Sequence, residues 1–250
     1  MKSLIVANWK MNPKTFKEAK KLFDETKRLT GLLKGVSVVV CPPAVFLRDL
    51  AVGNRAGRVS FGAQNVHFEA QGSYTGEISA LQVKDAKAMY AIIGHAERRA
   101  MGETNDDVRK KVDAVLVAGL TPIMCIGEKE RGQGAEHFTA VREQIRTGIS
   151  EDAGKRLSKI IIAYEPIWAI GATKAMEPRQ MHEMSIFIRK TLVERFGEAG
   201  HSIKILYGGS VDGENAADMM RDGDVVGLLV GRASVDIQSF TELLRSCAEA

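Results

Sequence analysis

A repeat of short apolar runs constrains this chain more than any other feature of its sequence. Eight runs follow one another, each closed by glycine, proline or a polar residue and followed by a helix-like stretch. Such runs are typical of parallel strands that are buried on both faces. The sequence therefore predicts eight βα units. Their strands are Leu4–Ala7, Val36–Cys41, Val59–Ala63, Ala88–Ile93, Pro122–Ile126, Ile160–Tyr164, Ile203–Tyr207 and Val226–Val230.

The number of units favours one particular α/β architecture. No Pro/Ser-rich linker, low-complexity tract or change of composition divides the 250 residues, so we expect a single domain over residues 1–250. Eight strand–helix repeats in this length fit a closed (β/α)8 barrel of parallel strands surrounded by helices. An open doubly wound sheet usually has fewer strands and a glycine-rich first turn. The first turn here, 8–12, contains no glycine.

Two helices can be predicted in detail. Thr15 precedes Glu18 by three residues, as in a capping box that begins a helix after the first strand. A second helix is predicted from Arg179 to Gly197, where glycine supplies a stop. Its apolar residues share one face. They are Met181, Met184, Phe187, Ile188, Leu192 and Phe196.

Composition excludes several classes of protein. The net charge of +4 comes from 35 basic and 31 acidic residues that are interleaved, so no nucleic-acid partner is expected, and the basic run 109–111 is interpreted as a solvated helix face. Cys41, Cys125 and Cys247 are odd in number and widely spaced, which predicts reduced thiols in the cytoplasm. No apolar stretch approaches the ~18 residues of a membrane helix.

Candidate catalytic residues lie where the strands end, because (β/α)8 enzymes build their sites at the carboxyl ends of the strands. No metal-ligand cluster appears there, and no metal or cofactor is expected. The strand-end residues are Asn8 and Lys10 after strand one, His95 and Glu97 after strand four, Glu165 after strand six, 208–210 after strand seven, and Gly231 with Arg232 after strand eight.

This combination of groups suits proton abstraction next to the carbonyl of a phosphorylated substrate. Glu165 would take the proton, His95 would donate a hydrogen bond to the developing enediolate oxygen, and Lys10 would neutralise its charge. The glycines after strands seven and eight let backbone amides approach a phosphate, and a short helix is expected near Ala233. Pro166 keeps Glu165 extended, and the apolar segment 167–171 is interpreted as a lid.

Four segments resemble the triosephosphate isomerase family, in the order and spacing of that family and across nearly the whole chain. They are 7–12, 93–99, 163–171 and 207–211. The resemblance implies a TIM barrel that interconverts D-glyceraldehyde 3-phosphate and dihydroxyacetone phosphate through an enediolate, without a cofactor, in glycolysis and gluconeogenesis. The segment 71–77 resembles the interdigitating loop of the family, which implies a homodimer with Thr75 reaching the partner's site.

The resemblance also implies a role for each site residue. Glu165 corresponds to the base, and His95 to the electrophile and proton shuttle. Asn8 and Lys10 would contact the substrate, and Glu97 would support Lys10. The phosphate would be held by the backbone amides of Gly171, Ser210, Gly231 and Arg232.

Three departures from the family pattern bear on the site. Ala96 stands where a serine is usual, so one hydrogen bond beside His95 is expected to be missing. The lid contains Ala172 and Thr173 where Thr-Gly is common, which could alter its closing rate. Arg232 stands where many members have a second glycine, and its side chain is expected to point outward.

Other interpretations remain open on the residues alone. A metal-dependent sugar-phosphate epimerase on the same barrel would need histidine and aspartate ligands at several strand ends, and a non-catalytic barrel could bind a phosphorylated ligand or a partner. Cys125 is predicted to be a packed hydrophobe without chemistry. Gln64 and Asn65 could belong to the site or to an interface. Packing or solvated roles are predicted for His67, His137, His182 and His201.

Overall fold

A computed structural model describes residues 2–54, 58–132, 134–169 and 175–250, and it contains the predicted barrel. The eight strands are parallel and pair in chain order, and β8 closes on β1. Every predicted strand is confirmed, with ends that differ by at most two residues. The strands are β1 Ser3–Asn8, β2 Val36–Cys41, β3 Val59–Ala63, β4 Tyr90–Ile93, β5 Thr121–Ile126, β6 Ile161–Tyr164, β7 Lys204–Tyr207 and β8 Gly227–Val230.

Helices fill the connections between the strands. The α-helices are α1 Phe16–Leu32, α2 Ala44–Val52, α3 Ala80–Asp85, α4 Ala96–Ala100, α5 Asn105–Val117, α6 Glu136–Gly148, α7 Pro178–Phe196, α8 Ala216–Asp222 and α9 Ile237–Glu249. Short 3-10 segments are Glu151–Lys159, Ile167–Ala169, Gly197–Ser202 and Arg232–Val235. Within the described ranges, no helix is long and apolar enough to cross a membrane.

The two helices predicted in detail are confirmed. At the start of α1 the Thr15 hydroxyl accepts a hydrogen bond from the Glu18 amide at 3.3 Å, and the Glu18 carboxylate accepts one from the Thr15 amide at 3.2 Å. These bonds satisfy two amides that the first turn leaves unpaired. Helix α7 ends where Gly197 takes a φ of 59°, a conformation that favours glycine.

The core has two layers because each strand is buried on both faces. The layer between barrel and helices contains strand residues such as Ile5 and Val38 together with helix residues such as Leu243. The buried members of the second layer all lie on strands, which places this layer inside the barrel. Its buried members are Val6, Val39, Cys41, Ile92, Ile123, Cys125, Ile161, Ala163, Leu206 and Leu229.

Strand register brings the predicted site residues to one level. Ile126 pairs with Tyr164, and Tyr164 pairs with Tyr207, at the carboxyl ends of three consecutive strands. The ladder continues one residue further, since the Glu165 amide donates to the Ile126 carbonyl at 2.7 Å. The Gly208 amide likewise donates to the Tyr164 carbonyl at 2.8 Å. The barrel itself therefore sets the height at which Glu165 leaves β6.

Candidate active site

A cleft of about 380 Å³ opens at the carboxyl ends of the strands. It is lined by side chains from the ends of β1, β4 and β6 and by the loops after β7 and β8, so most of the strand-end residues named from the sequence meet in it. These are Asn8, Lys10, His95, Glu165, Ser210 and Gly231, and Arg232 lies at the same cleft. The cleft also contains Gly208, Gly209, Val211, Asp212, Leu229, Ala233, Asp236 and Ser239.

Glu165 and His95 contact each other directly in the cleft. His95 Nε2 lies 3.2 Å from Glu165 Oε1, and the backbone amide of Ala96 donates to Glu165 Oε2 at 3.1 Å. Glu165 is 3% exposed and His95 is 6% exposed. A carboxylate and an imidazole from strands distant in the sequence are thus held together, largely out of water.

The hydrogen bonds of His95 identify its tautomer. Nδ1 accepts a hydrogen bond from the Glu97 amide at 3.2 Å, so this nitrogen carries no proton. The remaining ring nitrogen, Nε2, is then the N–H donor and faces Glu165 and the cleft. His95 is therefore neutral here and presents a hydrogen-bond donor to whatever occupies the cleft.

Burial changes the proton affinity of Glu165. Loss of hydration raises the pKa of Glu165 above the usual value of a glutamate, and His95 and the Ala96 amide are the strongest groups that oppose this rise. The Cys125 thiol and Lys10 oppose it more weakly. Cys125, read from the sequence as a packed hydrophobe, is indeed buried, but its thiol also lies beside the catalytic candidate.

Lys10 is held in a strained conformation by three partners. Its φ is 52°, a value that residues other than glycine rarely adopt. Asn8 Oδ1 accepts a hydrogen bond from the Lys10 amide at 3.1 Å, and Gln64 Nε2 donates to the Lys10 carbonyl at 2.8 Å. The ammonium donates to Glu97 Oε1 at 2.6 Å. This network directs the ammonium into the cleft. Gln64, which the sequence left open as a site or an interface residue, therefore supports the site.

The pair of Lys10 and Glu97 carries opposite charges at neutral pH. Burial would raise the pKa of Glu97, but the hydrogen bond and charge of Lys10, together with His95, outweigh this effect and lower it. Glu97 is more than half exposed and does not line the cleft. Its contact is with Lys10 and not with the space that a substrate would occupy.

Glycines border the cleft beside Glu165 and Lys10. A Cβ on Gly208 would lie 2.8 Å from Glu165 Cγ, and a Cβ on Gly231 would lie 3.1 Å from Lys10 Cε. Ser234 anchors the second loop, because its hydroxyl donates to the Gly231 carbonyl at 2.7 Å. A short helix predicted near Ala233 is present as the 3-10 segment Arg232–Val235. Backbone amides can therefore approach an anion between the two loops.

Glu128 supports the segment that follows Glu165, and the sequence analysis missed it. It is 2% exposed, and its carboxylate accepts hydrogen bonds from Tyr164 Oη at 2.9 Å and from Trp168 Nε1 at 2.8 Å. The Ile167 amide also donates to the Glu128 carbonyl at 3.0 Å. Its position two residues after β5, at the carboxyl rim, was the available signal.

Some sequence predictions fall outside this cleft or outside the described residues. Gly171, Ala172 and Thr173 lie outside the described residues, and so does most of the lid that begins at Ile167. Thr75 is exposed on the loop 71–77, away from the cleft. Among the described residues, His95 is the one histidine that lines the cleft. In the described ranges no three His, Cys, Asp or Glu side chains are grouped as metal ligands.

Comparisons with known proteins agree on one family. The family model for triosephosphate isomerase matches residues 3–247. The triosephosphate isomerase of Endomicrobium trichonymphae is 41% identical over 250 residues, covering 98% of both chains. A crystal structure of triosephosphate isomerase from Bartonella henselae superposes with a TM-score of 0.86 at 32% identity, covering 98% of this chain and 99% of that one.

Proposed function

The chain belongs to the triosephosphate isomerase family, and we propose how its own residues interconvert D-glyceraldehyde 3-phosphate and dihydroxyacetone phosphate. The observation that carries the proposal is the contact of Glu165 with His95 at 3.2 Å in a cleft bordered by two glycine-rich loops. It supplies a base and a neutral hydrogen-bond donor on one side and an anion site on the other.

Glu165 is the base. Its carboxylate takes the proton from the carbon next to the carbonyl, and the same carboxyl returns a proton to the neighbouring carbon. To do so it must release the Ala96 amide and exchange its contact with His95 for the substrate. Burial favours this step, because a carboxylate with a raised pKa binds a proton more strongly.

His95 and Lys10 stabilise the enediolate between the two proton transfers. The Nε2–H group of His95 donates to the oxygen on which charge develops and exchanges its proton with the neighbouring oxygen. The Lys10 ammonium lies at the same cleft and offsets the negative charge. The strained backbone of Lys10 fixes this ammonium before the substrate arrives, so little reorganisation is needed during the reaction.

The phosphate lies on the glycine-rich side. We assign its contacts to the amides of Ser210, Gly231 and Arg232, with Gly171 from the lid as a fourth donor. Closure of the lid over the cleft would exclude water and prevent loss of phosphate from the enediolate. The hydrogen bonds that Glu128 accepts from Tyr164 and Trp168 support the start of that lid.

A coupled assay on purified protein, run in both directions, tests the function. We expect turnover of both triose phosphates that persists after dialysis against a chelator. Loss of activity that zinc restores would favour a metal-dependent epimerase instead. Binding of a triose phosphate without turnover would favour a non-catalytic barrel.

A homodimer is the proposed assembly. A second cleft, of about 300 Å³, lies between Gln64, Gly76 and Arg98. Two large apolar side chains whose residues are close in sequence to this lining are exposed. Val45 is 79% exposed and Met101 is 77% exposed. Exposed apolar surface beside a cleft is typical of an interface. We propose that the loop 71–77 of a second copy enters it, so that Thr75 of that copy approaches Lys10.

The conformation of this loop is already defined within one chain. The His67 amide donates to the Ile78 carbonyl at 2.8 Å and closes the base of the loop, and the rings of His67 and Tyr74 lie 4.3 Å apart. Light scattering should give twice the chain mass of 27.3 kDa. A fully active protein of 27.3 kDa at micromolar concentration would contradict the dimer.

We propose the cytoplasm as its location. The three cysteines are buried free thiols, which fits a reducing compartment. Fractionation of the source cells should recover the activity with other cytoplasmic enzymes, and recovery with an oxidising compartment would contradict the assignment.

A further inference from the structure

Two carboxylates line the phosphate side of the cleft, where they oppose an anionic substrate. Asp212 Oδ1 accepts a hydrogen bond from the Glu214 amide at 3.0 Å. Asp236 caps α9, and its Oδ1 accepts from the amide and the hydroxyl of Ser239, each at 2.8 Å. Both carboxylates are therefore held at the cleft by the turns that they stabilise.

These charges create an electrostatic problem for a phosphate dianion. The bonds from Ser239 lower the pKa of Asp236, so this group is ionised at neutral pH. Of the cleft-lining residues that the structure describes, Lys10 and Arg232 carry positive charge. The Lys10 ammonium lies 2.6 Å from Glu97 and is assigned to the enediolate oxygen. Arg232 is then the cation that balances the aspartates on the phosphate side.

We propose that the guanidinium of Arg232 is a substrate-binding group that offsets Asp212 and Asp236 and donates charged hydrogen bonds to the phosphate dianion. This inference rests on the proposed function, and it goes beyond the backbone amide assigned to Arg232 there. The residue directly follows Gly231, lines the cleft and has an exposed side chain. A guanidinium presents several N–H donors in one plane and suits phosphate oxygens better than an ammonium.

Arg232 could instead act only through ion pairs that stabilise its loop. In that case, removing its charge would lower the melting temperature but leave the affinity for phosphate unchanged. A role in phosphate recognition predicts the opposite result. Removing the charge should lower the affinity for anions more than it lowers the melting temperature. Because the side chain is exposed, that loss should also shrink as salt screens the charge.

Calorimetry with inorganic phosphate as the probe separates the two roles. We expect Arg232→Gln and Arg232→Gly to weaken phosphate binding about five- to ten-fold at low ionic strength and less at high salt. Arg232→Lys should restore most of the affinity. Arg28→Gln, which removes one charge from the exposed face of α1, should bind phosphate as the wild type does. Unchanged affinity in a folded neutral variant would overturn the inference.

Turnover gives a second readout that a structural role would not move. In Arg232→Gln, kcat/KM for D-glyceraldehyde 3-phosphate should fall several-fold more than kcat/KM for D-glyceraldehyde, which lacks the phosphate. Equal losses on both substrates would contradict phosphate recognition. If the wild type binds phosphate through Arg232 but isomerises nothing, the proposed function fails and this inference stands. If the wild type is an active isomerase whose phosphate affinity ignores Arg232, only this inference fails.

Discussion

The two sides of the active-site cleft differ in the chemical groups that form them. On the proton-transfer side, His95 and Glu165 are buried side chains that contact each other at 3.2 Å. On the phosphate side, Gly208 and Gly231 leave space for backbone amides, and charged side chains lie at the rim. In the proposed mechanism, reactivity depends on desolvated side chains, whereas anion binding depends on exposed backbone amides and on charge at the rim. Substitutions on the two sides should fail in different ways.

The largest expected effect is the loss of the base. Glu165→Gln keeps the size of the side chain but cannot take a proton, so kcat should fall about 10²- to 10⁴-fold while KM changes little. Steady-state kinetics in both directions measures this. Glu198→Gln, which alters an exposed carboxylate after α7, is the matched control and should leave kcat unchanged. Near-normal turnover by Glu165→Gln would remove Glu165 from its assigned role.

A single methyl group placed between the two sides should have the next largest effect. In Gly208→Ala the new Cβ would lie 2.8 Å from Glu165 Cγ, so the base must move from its position. We expect kcat to fall about 10- to 100-fold, since small displacements of a catalytic group are costly. Gly31→Ala in α1 meets no atom within 4 Å and should leave kinetics unchanged. Equal kinetics for the two variants would show that this contact is unimportant.

The buried base should also make the protein less stable at neutral pH. The pKa of Glu165 is raised in the folded state, so the folded protein binds the proton more strongly than the unfolded chain does. The proton bound to Glu165 therefore stabilises the folded state. This stabilisation is fully present below the unfolded pKa of the carboxyl group and is lost as pH rises through its folded pKa. Glu165→Gln should therefore raise the free energy of unfolding near pH 7, with a smaller gain near pH 4. Urea titrations at both pH values test this, and a gain confined to acid would contradict it.

Ala96→Ser should produce the smallest effect and refine the proton-transfer side. Glu165 Oε2 already accepts a hydrogen bond from the Ala96 amide, and we expect a serine hydroxyl to bond to the same carboxylate. A second donor would favour the ionised form and lower the pKa of Glu165. The acid limb of kcat/KM should then move to lower pH, with kcat changed about two-fold or less. A shift to higher pH would exclude this arrangement.

The fold could be predicted from the sequence because its signal is local. Each strand is a short apolar run, and strand ends in a closed parallel barrel must meet at one rim. This reasoning was enough to bring Glu165, His95 and Lys10 into one cleft. The apolar run around Cys125 likewise indicated burial, which the structure confirms.

The supporting contacts could not be predicted, because they depend on register between strands that are distant in the sequence. Cys125 faces the barrel interior, and its nearness to Glu165 follows from the pairing of β5 with β6. Gln64 binds the Lys10 carbonyl across 54 positions of the sequence. Neither residue type signals such a role on its own. The lid prediction and the contact assigned to Gly171 stay predictions, since residues 170–174 lie outside the described ranges.

Solvent deuterium exchange tests the central claim most directly, namely that Glu165 moves a proton between neighbouring carbons. With the reaction run in D2O, we expect deuterium to appear on the carbon that receives the proton, because a carboxyl group facing the cleft exchanges its proton with solvent between the two transfers. Glu165→Gln should abolish this incorporation together with turnover. Isomerisation by the wild type without any label would indicate direct hydride transfer and would contradict the account.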